Sequence, residues 1–433
     1  VPGAPAVSYA RPVDILPAVV GIVVVVLGIL VSIALHEVGH MVPAKKFGVR
    51  VSEYMVGFGP TLWSRRKGET EYGLKAIPLG GYVRLVGMMP PAPAGTRPRD
   101  GFFSRIVADA RDASVSEIRP GEEHRAFYQL STPKKLVVML GGPVMNLVIA
   151  VVLLAVVFLG IGMPAATTTV ESVGDDSAAA SAGMLPGDEV VSFDGAPVEE
   201  WTQLVGMVND RAGETVEMVV ERDGEQVALE VTPTPAERPL TDDQGYAVTD
   251  DAGEPVMIDG ALLGVTSEVE RQPLPVSTVP EAVWLQVSGT AEAIVTLPVR
   301  VYDAAYQAFT DEPRSQDSVM SVVGVGRAAV DTAGADDYTV IARVQLMLML
   351  LASLNIALFM FNLIPLLPLD GGHVVNALYE GAKRTVARVR GAERPGPADV
   401  ARMMPVAYVV FVLLIGVGAV LMVADVVDPV RLF

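Results

Sequence analysis

Four stretches of this chain, residues 17–35, 136–163, 344–369 and 403–424, run without one charged side chain. At about 18 residues or more, each is long enough to cross the hydrocarbon of a bilayer as a helix. The composition agrees: 19% of residues are charged, against about 25% in soluble domains. The sequence therefore predicts a polytopic α-helical membrane protein with four transmembrane helices, at 17–42, 133–163, 341–370 and 403–425. The first run is followed by ionisable residues and not by a small-residue cleavage site, so it reads as a retained helix. Cysteine is absent, which excludes a disulfide scaffold, a cysteine-liganded zinc ribbon and a cysteine nucleophile. The net charge of −18 argues against a nucleic-acid binder, which needs a basic face.

Charge between the spans orients the chain. Residues 42–135 hold 16 Lys and Arg against 9 Asp and Glu, residues 164–343 hold 8 against 33, and residues 371–402 hold 6 against 3. Basic connections stay in the cytoplasm. The first and third connections are then inside, the acidic second one is outside, and both termini are outside. Most of the net charge thus belongs to a solvated outer region.

Within the first connection, residues 49–87 read as strands punctuated by glycine and proline, with a turn at Lys67-Gly68-Glu69. Residues 88–131 read as a Pro- and charge-rich cytoplasmic loop, and residues 371–402 as a second one. Outside, residues 167–270 have the rhythm of a small α+β domain. Gly183-Met-Leu-Pro-Gly-Asp188 precedes an apolar strand, and Asp194-Gly195 and Asp223-Gly224 mark turns. This pattern resembles a PDZ domain of the circularly permuted bacterial kind, with a polar insertion near 234–259. Residues 281–340 read as an amphipathic and linking region at the outer membrane face, interrupted at Pro298.

The chemistry lies in His36-Glu37-Val38-Gly39-His40. Side chains four apart on a helix project together, so His36 and His40 can hold one metal ion, with Glu37 placed to take a proton from a metal-bound water. Ionisable groups inside a spanning helix cost several kcal/mol unless paired or coordinated. Asp370 abuts the inner end of the third span and offers a third ligand. Loop charge puts all three at one depth. Three protein ligands with one open position are the coordination of a catalytic zinc, and peptide-bond hydrolysis is the reaction class. Other readings of the same features are a transporter or a PDZ-bearing scaffold with a metal site. The chain shows no internal repeat of the kind many transporters carry.

These residues resemble the site-2 protease family of intramembrane zinc metalloproteases. The resemblance rests on His36-Glu37-x-x-His40, on Gly142-Pro-Val-Met-Asn146 and on Asn362-x-x-Pro-x-x-x-Leu-Asp370-Gly. With a single outer PDZ-like domain, the layout is similar to the bacterial branch that cleaves anti-sigma factors. The resemblance implies one Zn2+ on His36, His40 and Asp370, with Glu37 as base. It implies a location in the bacterial cytoplasmic membrane, and single-span, anti-sigma-factor-like membrane substrates already cut by an upstream site-1 protease. It further implies a membrane-reentrant β region over 49–87. The Gly-Pro-rich motif usual before the third span is replaced here by Val322-Val-Gly-Val-Gly326, without proline.

Candidate substrate contacts follow. Asn362 donates to the substrate backbone or satisfies carbonyls freed by Pro365 and Pro368. Asn146 acts near the site or joins two helices. Ile77, Gly80 and Gly81 belong to a strand edge able to pair with an unwound substrate.

Overall fold

The computed structural model describes residues 15–92, 101–239, 248, 255–308, 310, 318–333 and 339–427. Both termini and most of the expected insertion at 234–259 lie outside the described residues. In chain order, α1 (Ile15–Lys46) leads to β1 (Val51–Lys67), β2 (Thr70–Leu85), α2 (Phe102–Ser116) and α3 (Thr132–Ala155). A second set follows: β3 (Met163–Val173), α4 (Ala178–Ser181), β4 (Glu189–Phe193), β5 (Ala196–Pro197) and α5 (Trp201–Asp210). It continues through β6 (Val216–Arg222), β7 (Glu225–Val231), β8 (Thr234–Pro239), β9 (Met257–Leu262) and β10 (Val265–Gln272). The chain then returns to helices: α6 (Thr278–Gln307), α7 (Val322–Ala333), α8 (Val340–Asn362), α9 (Asp370–Val389) and α10 (Met404–Val427). Residues 1–159 and 275–433 form one unit and residues 160–274 another.

In the first unit, α1 runs against α3 on glycine. A Cβ on Gly39 would strike the Gly141 carbonyl, and one on Gly141 would strike that of Gly39, so the two backbones touch. Asn355 of α8 reaches α1, donating to Ser32 Oγ at 2.9 Å. Beside α1, β1 and β2 form a hairpin that folds back on itself. Residues 51–56 pair with 81–85, while 61–67 pair with 70–75. Tyr54 consequently has both Val83 and Tyr72 as partners. The Tyr54 hydroxyl donates to Ala34 O at 2.8 Å, which docks the hairpin on α1. Arg125 anchors the hairpin turn through Glu69 at 2.6 Å.

Five described helices, one more than expected, have the length and composition to cross a membrane, the additional one being α6. It runs unbroken through Pro298, where an interruption was expected. Two expected loops contain helices: α2 in 88–131, and α9 in 371–402. The third span stops at Asn362, short of the expected 370. Pro365 and Pro368 lack the amide proton that a continuing helix needs, so residues 363–369 form tight turns before α9 begins.

In the second unit, a sheet of order β10-β3-β4-β6-β7, with β5 on β4, packs Val170, Phe193, Met218 and Val220 against Leu204 of α5. Asp194 and Gly195, and likewise Asp223 and Gly224, have positive φ at both central positions. That is the twist that two-residue hairpin turns require. Asp188 closes the loop before β4: its buried carboxylate accepts from Leu185 N at 2.8 Å and from Arg222 Nε at 2.7 Å. The Arg222 guanidinium holds the Asp188 carboxyl below its usual range.

Candidate metal centre

His36 and His40 stand one turn apart on α1, with Nε2 atoms 3.2 Å from each other. Asp370, the first residue of α9, brings Oδ2 to 3.3 Å from each of them. The turns after α8 deliver this carboxylate. Gly371 permits them, since a Cβ there would lie 2.5 Å from Leu363 O. The three donor atoms form a nearly equilateral triangle. Ligand atoms about 2.0–2.1 Å from a tetrahedral ion are about 3.3 Å apart, so the spacing matches. Asp370 Oδ2 is also buried without a hydrogen-bond donor. A carboxylate oxygen left so costs free energy that a cation removes. The residues present fit a zinc ion.

The outer nitrogens are held as well. His40 Nδ1 donates to Val138 O at 2.8 Å, leaving Nε2 with a free lone pair. His36 Nδ1 lies 3.1 Å from the Asn146 amide, whose oxygen has no partner. Exchanging the amide oxygen and nitrogen lets Nδ1–H donate to the oxygen and satisfies both groups. Asn146 is buried at 1% exposure. From α3 it reaches His36 on α1 and so joins the two helices beside the cluster.

Glu37 is half-buried on α1, between the two histidines in sequence. A Cβ on Gly81 would lie 3.3 Å from the Glu37 side chain, so bare backbone passes the acid closely. Gly80, at φ 103°, instead lies under the Phe58 ring, and Ile77 is exposed where it pairs with Phe58. Gly81 is thus the edge residue placed beside Glu37. Asn362 ends α8, half-buried, eight residues before Asp370. His373 is outside the three-residue cluster.

Peptidase family M50 matches residues 24–397. Zinc metalloprotease Rip1 of Mycobacterium tuberculosis strain H37Rv is 33% identical over 96% of this chain and 99% of its own length. The protein of the same name from Mycolicibacterium smegmatis is 32% identical over the same shares. Metalloprotease MmpA of Caulobacter vibrioides is 29% identical over 82% of this chain and 85% of its own. The chain belongs to peptidase family M50. It is a zinc metalloprotease and a multi-pass membrane protein. Among solved structures, the PDZ domain of the SdrC-like protein Lmo2051 of Listeria monocytogenes covers 23% of this chain and 86% of its own, at 19% identity and a TM-score of 0.17.

Gly142 has a second role in this M50 chain beyond the helix packing that its sequence signals. Gly142 faces the cluster: a Cβ there would lie 2.7 Å from His36 Nε2 and closer still to His40. Its Gly141-Gly142-Pro143 context signals close packing, and the rings' need for the same space emerges only when α1 and α3 are in register.

Proposed function

We propose that this M50 protease hydrolyses peptide bonds within or beside the transmembrane helix of single-span, anti-sigma-factor-like membrane proteins, with zinc on His36, His40 and Asp370. The observation that carries the reading is the donor triangle, assembled from two chain segments, with Glu37 between it and a strand edge. Zinc held there supplies a Lewis acid for the scissile carbonyl and brings the pKa of a water down to about 7. Glu37 takes the proton of the attacking water and passes it to the leaving amine. The His40–Val138 and His36–Asn146 contacts keep both imidazoles facing inward.

A peptide bond in a helix is shielded by its own hydrogen bonds, so the substrate must unwind. The 81–85 arm pairs on one side with 51–56 and passes Glu37 at Gly81. An extended substrate adding to that arm would present its backbone to the acid. Phe58, Leu62 and Trp63, all exposed, suit a hairpin dipping into lipid. Asn362 is the candidate donor to the substrate backbone. In this reading the chain crosses the bacterial cytoplasmic membrane four times, with the metal centre near the cytoplasmic leaflet. The second unit is a PDZ-like domain outside, where it sorts substrates already shortened by an upstream site-1 protease.

The test is mass spectrometry of a co-expressed single-span substrate, with zinc content measured alongside. The wild type yields a cleavage within the substrate's membrane segment, and Glu37→Gln retains zinc but yields none. Cleavage by the variant at the wild-type rate would remove Glu37 from the reaction.

A further inference from the structure

Helix α9 turns one side toward protein and leaves the other bare. Past its first turn, Ala377 and Glu380 are buried, and Glu380 joins Lys135 of α3 at 2.8 Å. The opposite side carries Val375, Leu378, Tyr379, Ala382, Val386 and Val389, with Leu378 52%, Tyr379 61% and Val389 81% exposed. At 3.6 residues per turn these six occupy one continuous arc of about 100°. Cations flank it, Lys383 and Arg390 close along one margin and Arg388 about 80° beyond the other, all exposed. Between Glu380 and Glu393 the chain has no acid.

Two occupants fit a bare apolar arc: protein, which prefers few lysines and arginines at its rim, or a lipid surface, which attracts them. The position of α9 decides between them. It connects α8 to α10, both of membrane length, so both of its ends are tied to a bilayer surface. We propose that α9 lies in the plane of the membrane, with its apolar arc among acyl chains and Lys383, Arg388 and Arg390 on the phosphates of anionic lipid. Because Asp370 is the first residue of the same helix, anionic lipid then helps to hold the third ligand beside the two histidines. The inference rests on the membrane placement of the chain and not on which peptide it cuts.

The chain lacks cysteine, so Val386→Cys provides a unique site for a fluorophore, with Gly396→Cys as an exposed reference. The full chain is reconstituted in nanodiscs of phosphatidylcholine, alone or with about 30 mol% phosphatidylglycerol. With phosphatidylglycerol, quenching by aqueous iodide at 386 falls several-fold relative to 396, and quenching by a nitroxide-bearing lipid rises. Adding Lys383→Gln, Arg388→Gln and Arg390→Gln, with helix content by circular dichroism unchanged, returns 386 to its behaviour in phosphatidylcholine and speeds zinc loss on dialysis. Equal iodide quenching at 386 and 396 in both lipids would overturn the proposal. Protection that is equal in both lipids and unmoved by the charge changes would overturn it too. Protection found only in discs holding two copies would make a second chain the occupant and would equally overturn it. None of these readings requires proteolysis, so they fail or succeed independently of the substrate assignment.

Discussion

One methylene separates a usable metal centre from a blocked one. At Gly142 an added methyl would lie 2.7 Å from His36 Nε2 and nearer to His40. Gly142→Ala is therefore expected to abolish zinc binding, measured by elemental analysis of purified protein, while the helices still form. Zinc at the wild-type level in that variant would show that the rings have room to move. The candidate cluster itself was legible: the four-residue spacing of His36 and His40 fixes a shared face, and Asp370 ends an uncharged run. What holds them was not, because Val138 O and the Asn146 amide reach the imidazoles only through the approach of α1 to α3. In the second unit, Asp188 is a residue with a pH signature. Arg222 depresses its pKa, so its contribution is present above about pH 4 and is lost as pH falls through the lower, folded value. Arg222→Gln is expected to lower the melting temperature of that unit near neutrality, with the difference from wild type closing below about pH 4. A difference that persisted unchanged at pH 2 would mean the pair is not the cause.

Among elements, α9 matters most, since a helix and not a loop carries Asp370. Its middle is fixed by a buried cluster: Glu380 takes Lys135 at 2.8 Å, Arg384 at 2.7 Å and the Ala398 amide at 3.0 Å. Removing one partner of a buried pair costs about 3–5 kcal/mol, because the other charge is left uncompensated. Lys135→Met is accordingly expected to weaken zinc retention during dialysis and to lower the melting temperature, and Lys135→Met with Glu380→Leu to recover part of both. A double variant no better than the single one would mean that the pair acts separately on each helix. The sequence concealed α9 because its apolar positions are interleaved with cations and never build an uncharged run. It concealed α7 for another reason. Val322-Val-Gly-Val-Gly326 has poor intrinsic helix propensity, and the start of α7 is held from outside by Asp425 of α10, whose carboxylate accepts from Ser321 N at 2.6 Å and Gly324 N at 3.1 Å. The uncharged spans and the Asp-Gly turns, by contrast, are set by local composition and were readable.

At the level of the whole molecule, the register of contacts tests the proposed number of crossings. Gly28 meets Leu351 and Ser32 meets Asn355, so α1 and α8 run in the same direction. His40 meets Val138 and His36 meets Asn146, so α3 runs opposite to α1. The chain must therefore leave α3 and enter α8 on the same side of the membrane. If α6 crossed, α7 would have to bring the chain back. Its 12 residues rise about 18 Å against a hydrocarbon thickness of about 30 Å. The four-crossing proposal therefore expects the chain to come back through α6 to the side it started from, although α6 has the length and composition to span. The absence of cysteine makes this measurable with single replacements and a membrane-impermeant maleimide on intact cells. Val276→Cys and Thr310→Cys, just outside the two ends of α6, are both expected to label without permeabilisation, as is Glu199→Cys in the second unit. Arg394→Cys should label only after permeabilisation. Labelling of Val276→Cys in intact cells, with Thr310→Cys reached only once the membrane is opened, would make α6 a fifth crossing and would require a different route for the chain into α8.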